Sequence, residues 1–147
     1  MEVTGGEPLI QEESVDLMER LLAEGYVVML ETGGSLPIKQ VPWPVIKIVD
    51  FKAPSSGMVK HNRWSILDDL APHDEVKFVI GDRADYDWAR ARIEEHGLVG
   101  RYTILFSPVY GKLEPRTMAG WLLQDRLQAR LQLQLHKTIW GPGKRGV

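Results

Sequence analysis

The sequence of 147 residues contains no cysteine. This excludes disulfides, thiolate zinc sites, cysteine nucleophiles and thiolate-bound iron–sulfur clusters built from this chain alone. Long apolar runs are also missing, since no stretch approaches the ~18–20 residues that a membrane span needs. The first residues have neither the basic nor the apolar region of a signal peptide. We therefore expect a cytoplasmic protein without a membrane partner.

An excess of charge of either sign is absent as well. The 18 lysines and arginines nearly balance the 20 acidic residues, which gives a net charge of −2. Nucleic-acid binding requires a strong positive field, so no nucleic-acid partner is predicted. No two histidines and a carboxylate share metal-ligand spacing, and we predict no metal site formed by this chain's side chains. The length fits one domain, at residues 1–147.

Short apolar runs alternate with amphipathic stretches along the chain. The runs predict strands at residues 2–4, 26–31, 45–50, 75–80, 102–106 and 129–135. Apolar residues at helical spacing predict helices around residues 15–22, 88–93 and 118–125, and a weaker helical turn at 64–70. Alternation of this kind favours βα units, so the fold class is α/β with a mostly parallel sheet and flanking helices.

Several residues are typical of element ends. Gly25 and Gly97 are expected to close the first two helices, Asp85 or Asp87 to open the second, and Pro115 to lie in the first turn of the third. In the last strand, residues 129–135, leucines alternate with polar residues. That period of two predicts a buried leucine face and a wetter or partner-facing face.

Polar, glycine or proline residues follow four of the predicted strands. Thr4 to Pro8 contain two glycines and Glu7, Glu31 precedes another glycine pair, and further candidates are Asp50 with Lys52 and Ser107 with its neighbours. Ligands gather at the carboxyl ends of parallel strands, so these residues predict one ligand-binding face. Each motif taken alone fits a turn or a solvated side chain about equally well. His136 fits a structural, hydrogen-bonded histidine better than a catalytic base.

Six motifs in order resemble the 7-carboxy-7-deazaguanine synthase family of radical S-adenosylmethionine (SAM) enzymes. They start at Val3 (Val-Thr-Gly-Gly-Glu-Pro-Leu), Leu30 (Leu-Glu-Thr-Gly-Gly), Val49 (Val-Asp-Phe-Lys-Ala-Pro-Ser-Ser-Gly), Asp74, Phe106 and Arg130. The Gly-Gly-Glu motif is shared by radical SAM enzymes broadly. The Pro-Ser-Ser-Gly loop and the Gln-Leu-His-Lys-x-Ile-Trp ending point to this family. The resemblance covers nearly the whole chain and implies a partial radical SAM (β/α) barrel whose first βα unit is missing.

The resemblance also implies a reaction and its cofactors. The family converts 6-carboxy-5,6,7,8-tetrahydropterin to 7-carboxy-7-deazaguanine in queuosine and related deazapurine biosynthesis. It uses SAM, a [4Fe–4S] cluster and Mg²⁺, and its members usually form homodimers. The 5′-deoxyadenosyl radical takes hydrogen from the pterin, whose ring then contracts with loss of ammonia. The protein's task is to hold cofactor and substrate in register.

Site roles follow from the same resemblance, residue by residue. Glu31 would face the substrate and assist proton movement, and Thr4 and the carboxylate of Val147 would contact the pterin. The residues implied to bind SAM are Gly6, Glu7, Asp50, Phe51, Lys52, Ser107, Pro108, Val109 and Tyr110. Many members have Ser-Pro-Lys in place of Asp50-Phe51-Lys52, so only Lys52 matches that version. Ser107 replaces a glutamine of some members.

The departure from the family is the missing cysteine motif. The family's three cluster cysteines, and an aspartate–threonine pair that helps to bind Mg²⁺, lie upstream of Gly-Gly-Glu, where this sequence begins. We therefore expect a fragment that is inactive alone, so whether the chain acts as an enzyme is left open, with either a homodimer or a complementing N-terminal segment as partner. The alternative is a non-catalytic module that binds pterin or SAM, or docks to a complete synthase. The exposed edge of the first strand predicts self-association or marginal stability.

Overall fold

The structure, a computed structural model, describes residues 1–144. Within that range, six parallel strands form one sheet in which their order follows the chain. The strands are β1 (Glu2–Val3), β2 (Met29–Thr32), β3 (Ile46–Lys52), β4 (Glu75–Ile80), β5 (Thr103–Pro108) and β6 (Arg130–Leu131). This confirms the predicted α/β class and parallel sheet. The sheet has two edges, β1 and β6, as expected of part of a barrel.

Helices and turns connect the strands. The helices are α1 (Glu13–Ala23), α2 (Arg83–Glu95), α3 (Pro115–Gln124) and α4 (Leu135–Trp140). Short 3₁₀ turns lie at Pro8–Ile10, Pro54–Ser56, Val59–His61 and Trp64–Asp69. None of the helices in the described part of the chain is long and apolar enough to cross a membrane. Gly25, with φ of 83°, follows α1 as predicted, and Pro115 opens α3.

The two faces of the sheet differ in chemistry. On the helix-covered face, alternate strand residues such as Leu30, Phe78 and Phe106 are fully buried in one apolar core. The opposite, inner face carries most of the charged residues of the same strands, and buried Lys47 of β3 is an exception. Pairing in register places Asp50 of β3 beside Lys77 of β4. The period of two along each strand therefore directs the aromatic core residues to the helices and Asp50 and Lys77 to the inner face.

The last predicted strand is only partly right. β6 ends at Leu131, the backbone N–H of Gln132 adds one more hydrogen bond to Phe106 O (2.8 Å), and α4 begins at Leu135. The leucine face predicted to be buried is instead exposed: Leu131 is 37 %, Leu133 39 % and Leu135 61 % accessible. The reason is position, because β6 is a sheet edge. Alternation in the sequence shows that two faces differ but not which one is covered.

The predicted start of α2 was also wrong. The N-cap is Asp82, whose side-chain Oδ1 accepts a hydrogen bond of 2.9 Å from the backbone N–H of Asp85. Asp85 therefore lies inside the first turn, and it is 1 % accessible. Asp87 lies one turn further along and pairs with Arg83 at the surface. A helix N-cap needs only a short polar side chain, and three aspartates occur within six residues here. The sequence alone therefore does not distinguish which of them is the cap.

Candidate functional site

A cleft lies over the carboxyl ends of β1, β2 and β3. It has a volume of about 370 Å³, and the residues around it include Thr4, Gly6, Glu7, Glu31, Asp50 and Lys52. All six are residues for which the sequence predicted a role. Parallel strands end at the same edge, which is why residues from positions 4 to 52 meet here. The outer wall is formed by Met58 and His61, from the loop that follows β3.

Glu7 joins the first glycine turn to the second. Its carboxylate accepts hydrogen bonds from Thr32 Oγ1 at 2.9 Å, from Gly33 N at 2.9 Å and from Leu9 N at 3.3 Å. Two carboxylate oxygens offer about four acceptor positions, so three donors leave room for one more. Glu7 is thus fixed in direction and still able to bind a ligand donor.

The second glycine turn requires its glycines. Gly34 has φ of +68°, and a Cβ built there would lie 2.8 Å from Val49 Cγ1. A Cβ on Gly33 would lie 3.4 Å from Glu7 Oε2. The close approach lets the Gly33 amide reach the Glu7 carboxylate. The turn therefore brings β2 and the Glu7 segment together at the floor of the cleft.

Asp50 brings a charge to a nearly enclosed position. Its side chain is 10 % accessible, and its Oδ2 lies 2.6 Å from Lys52 Nζ. Burial raises the pKa of Asp50 above its ordinary value, and Lys52 and Lys77 only partly oppose this effect. Its other oxygen, Oδ1, is buried and has no hydrogen-bond partner among residues 1–144. A buried acceptor of this kind is costly unless something binds to it.

Glu31 and Lys77 form a second polar group on the inner face. Lys77 Nζ lies 2.7 Å from Glu31 Oε1, and the lysine side chain is 7 % accessible. Both residues line an adjoining cavity of about 440 Å³ that also contacts Thr4 and Gln132. Partial burial, and then the neighbouring Glu31, raise the pKa of Glu2 at the rim. Because Thr4 and Glu31 line both cavities, the two spaces adjoin along these residues.

Comparison with known proteins decides the family. A protein of Koribacter versatilis named 7-carboxy-7-deazaguanine synthase is 48 % identical over 161 residues, covering the whole of this chain and 71 % of the relative. One of the same name from Chlorobaculum tepidum is also 48 % identical, with 100 % and 68 % covered. The chain belongs to the 7-carboxy-7-deazaguanine synthase family. A relative from Methanospirillum hungatei, bearing that name, is 38 % identical over 95 % of this chain and 58 % of its own length.

A solved structure supports the fold alone. The crystal structure of QueE from Escherichia coli superposes with a TM-score of 0.68 over 90 % of this chain and 55 % of that chain, at 19 % identity. No family model matches the sequence. The chain therefore spans roughly 70 % of its two 48 %-identical relatives and shares the fold of a structure that is also longer.

Two groups of the residues predicted from the synthase family lie outside the cleft. The Phe51 side chain is fully buried and stacks on Trp64 at 4.2 Å, so its predicted role in SAM binding could involve only its backbone. Pro108 and Tyr110 line a separate cavity of about 300 Å³ beside α3 and α4. The reason for Phe51 is strand alternation, which directs it away from its neighbours Asp50 and Lys52.

Ser107 lies in β5, and Val109 follows the end of that strand. Ser107 is fully buried, and its hydroxyl has no hydrogen-bond partner within the described chain. Val109, two residues further on, is half-buried. Val147, predicted to contact the substrate, lies outside the described residues. The roles assigned to these residues stay predictions.

Among the residues that line the two cavities, sequence reasoning did not single out Lys77, Met58 or His61. Lys77 could have been found, because a lysine between valine and phenylalanine in a buried strand is unusual. Gln132 did carry a signal, in its alternation with leucines. Met58 and His61 carried none, since only the path of the loop brings them to the cleft.

The residues present fit SAM but not an iron–sulfur cluster. Carboxylate oxygens on half-buried Glu7 and buried Asp50, with Lys52 beside Asp50, suit an amino-acid group that bears both an ammonium and a carboxylate. A [4Fe–4S] cluster needs thiolates, and the sequence has no cysteine. Across residues 1–144, no three histidine, aspartate or glutamate side chains are grouped so as to hold a metal ion.

Proposed function

We propose that this chain provides the SAM- and pterin-binding face of a 7-carboxy-7-deazaguanine synthase. The reaction is the ring contraction of 6-carboxy-5,6,7,8-tetrahydropterin to 7-carboxy-7-deazaguanine. The observation that carries the proposal is the meeting of Glu7, Asp50, Lys52 and Glu31 at one cleft in a member of that family. Three separate strand ends, those of β1, β2 and β3, contribute to it, which a solvated surface would not require.

SAM would occupy the cleft over β2 and β3. Its ammonium group needs acceptors, and the free position on Glu7 and the unpartnered Oδ1 of Asp50 supply them. Lys52, held 2.6 Å from Asp50, lies where it can receive the SAM carboxylate. Gly6, with φ of 60°, exposes its backbone at the same rim. Bound SAM supplies the radical precursor for the reaction.

The pterin would occupy the adjoining cavity. Lys77 Nζ orients Glu31 through a contact of 2.7 Å, and the Glu31 carboxylate would assist proton movement on the substrate. The Gln132 Oε1 oxygen is buried and has no hydrogen-bond partner within the described chain. A pterin presents amide and amino donors that such an acceptor can satisfy. Lys77 and Thr4 offer donors to a substrate carboxylate or carbonyl.

The cluster and Mg²⁺ would have to be held by other polypeptide. We infer that a complementing segment supplies the cysteine ligands and docks at the edge of β1, whose outer side lacks a strand neighbour among residues 1–144. A homodimer is the second expected assembly. No reaction step that depends on the cluster is derived for this chain. The absence of cysteine also keeps open a non-catalytic pterin- or SAM-binding module.

Calorimetric titration with SAM tests the proposal on the purified chain. We expect saturable binding, and we expect Asp50→Asn to weaken it about tenfold, which corresponds to ~1.4 kcal/mol for a charge-assisted hydrogen bond. Asp87→Asn is the matched control, since that carboxylate lies at the surface of α2. The absence of saturable binding by the unaltered chain would contradict the proposal.

A second measurement separates the two functions. The chain is mixed with the cysteine-bearing N-terminal part of a relative, reconstituted with iron and sulfide under anaerobic conditions, and assayed for 7-carboxy-7-deazaguanine. Formation of 7-carboxy-7-deazaguanine by the mixture, and its loss when the chain carries Glu31→Gln, would support the synthase function. SAM or pterin binding with no product in any mixture supports the non-catalytic module.

A further inference from the structure

The loop at residues 53–62 is attached to the rest of the molecule near both of its ends. It leaves β3 after Lys52, makes two 3₁₀ turns and contributes Met58 and His61 to the cleft wall. Much of the loop is exposed, and Met58 is 47 % accessible. An exposed ten-residue segment would ordinarily be mobile. Two side chains, Asp85 and Asn62, bind its ends to the sheet and to α2.

Asp85 holds the first end. Its Oδ1 accepts a hydrogen bond of 2.9 Å from Ser55 N, and its Oδ2 accepts bonds from Ser55 Oγ at 2.5 Å and Gly81 N at 2.8 Å. The aspartate itself is 1 % accessible, whereas Ser55 is exposed, and a carboxylate is a stronger acceptor than a neutral group. A Cβ on Gly81 would lie only 2.8 Å from Ser55 Oγ. The loop, the end of β4 and α2 are thus joined at one carboxylate.

Asn62 holds the second end. Its Oδ1 accepts a hydrogen bond of 2.8 Å from Lys52 N, and its Nδ2 donates one of 2.9 Å to Lys52 O. The amide therefore pairs with both backbone groups of Lys52, as a neighbouring strand would. Lys52 is the residue whose ammonium group meets Asp50 in the cleft. Asn62 consequently fixes both the loop and the base of a proposed SAM-binding side chain.

We propose that Asp85 and Asn62 are positioning residues that hold the loop at residues 53–62 as a preformed wall of the cleft. Neither residue contacts the cleft itself; each acts through Ser55 or Lys52. A wall formed before binding spares the ligand the conformational entropy of ordering the loop. The effect on the ligand rests on the proposed function, whereas the attachment of the loop does not.

Amide exchange and proteolysis test the attachment without any ligand. Lys60 lies exposed in the middle of the loop and is a trypsin site. We expect both Asp85→Asn and Asn62→Ala to accelerate tryptic cleavage after Lys60 by about tenfold or more. Amide exchange should accelerate by a similar factor, at Ser55 in Asp85→Asn and at Lys52 in Asn62→Ala. Exchange at Phe78 in β4 should stay unchanged, which shows that the core remains folded. Asp87→Asn, on the same helix, should match the unaltered chain throughout.

A conservative pair distinguishes positioning from general stability. Ser55→Ala removes one bond to Asp85, and Ser55→Thr keeps the hydroxyl, so cleavage should accelerate in the first and return to the original rate in the second. In the same variants SAM affinity should fall and recover in parallel, with Asn62→Ala weakening it about tenfold. Unchanged cleavage and exchange in both Asp85→Asn and Asn62→Ala would overturn the attachment. Faster cleavage and exchange in these variants with unchanged SAM affinity would overturn the positioning role. Failure of the unaltered chain to bind SAM would overturn only the proposed function.

Discussion

Asp50 is held in the protein at a cost to stability. Its pKa lies above the ordinary 3.8 because burial disfavours the carboxylate, so the folded chain binds this proton more tightly than the unfolded chain. The stability that the proton contributes is present below pH 3.8 and is lost as pH rises through the raised pKa. The ionised form of this carboxylate therefore carries a burial cost in the folded chain. Ligand binding to its free oxygen gives a reason for this arrangement.

Asp50→Asn should separate stability from binding. We expect the unfolding free energy at pH 7 to rise by about 1 kcal/mol, since a neutral amide is buried more easily than a carboxylate. The gain should shrink as the pH is lowered through the raised pKa of Asp50 towards its ordinary 3.8, because the unaltered chain then takes up the proton that favours folding. Urea unfolding at pH 7 and at lower pH measures this. A variant less stable than the original at pH 7 would show that the ion pair with Lys52 outweighs burial.

Substitution of Gly34 by alanine adds one methyl group to the second glycine turn and tests whether that turn requires glycine. Gly34→Ala should lower the unfolding free energy by at least about 2 kcal/mol, because φ of +68° disfavours any Cβ and this one would meet Val49 Cγ1 at 2.8 Å. Gly120→Ala is the control: that glycine lies within α3, and a Cβ there meets no described atom within 4 Å apart from its chain neighbours and the backbone of its own helix. The control should gain up to about 1 kcal/mol. Equal effects at the two positions would refute the argument from packing.

At the scale of elements, α2 and α3 are joined by one buried phenol. Tyr86 of α2 is fully buried, and its hydroxyl donates a hydrogen bond of 3.0 Å to Asp125 Oδ2 at the end of α3. Burial, and then the hydrogen bond to Asp125, raise the pKa of Tyr86 to about 12. Arg90 lies 3.1 Å from the same carboxylate oxygen. The hydrogen bond therefore links α2 to the end of α3, and neither Tyr86 nor Asp125 lines the cleft.

Tyr86→Phe should lower the unfolding free energy by about 1 kcal/mol at pH 8, the usual net worth of one hydrogen bond. Above pH 10 the unfolded chain of the original ionises its tyrosine while the folded chain does not, so the original loses stability as pH rises towards 12. The phenylalanine variant lacks this loss. The difference between the two should therefore narrow between pH 8 and 11 in urea unfolding experiments. A difference that widens would contradict the assigned direction.

The segment from β6 to α4 exposes apolar side chains at the edge of the sheet. The leucines of residues 131–135 face solvent, and α4 continues the surface with Ile139, which is 63 % accessible. This exposed apolar group is the face that alternation in the sequence indicated as buried. Its position at the sheet edge places it where another polypeptide could pack.

At the scale of the whole molecule, we expect the isolated chain to self-associate. The edges at β1 and β6 leave backbone groups without strand partners in the described range, and the leucines beside β6 add apolar surface. Sedimentation velocity should show a concentration-dependent shift to dimers or larger species. Leu133→Gln with Ile139→Gln should weaken association about tenfold. A monodisperse, thermally stable monomer at all concentrations would contradict this expectation.

The sequence by itself determined the order of the elements, the parallel sheet and the family. Short apolar runs separated by helical stripes admit few other folds. Glycine pairs beside Glu7 and Glu31, and Asp50 at a further strand end, indicated the face where the cleft lies. These are local signals, since each depends on spacing within about ten residues. The motif resemblance was confirmed because the relatives match along the whole chain.

Only the tertiary structure decided which faces are covered and which distant residues meet. Leu131 alternates like a buried residue but lies at an open edge, and Phe51 is adjacent to two cleft residues but faces the core. Lys77 joined the site through its register with Asp50, 27 positions earlier in the sequence. Asp85 looked like a cap and instead binds the loop at Ser55. Burial and long-range hydrogen bonds are properties of the packed chain, and no periodicity within one segment records them.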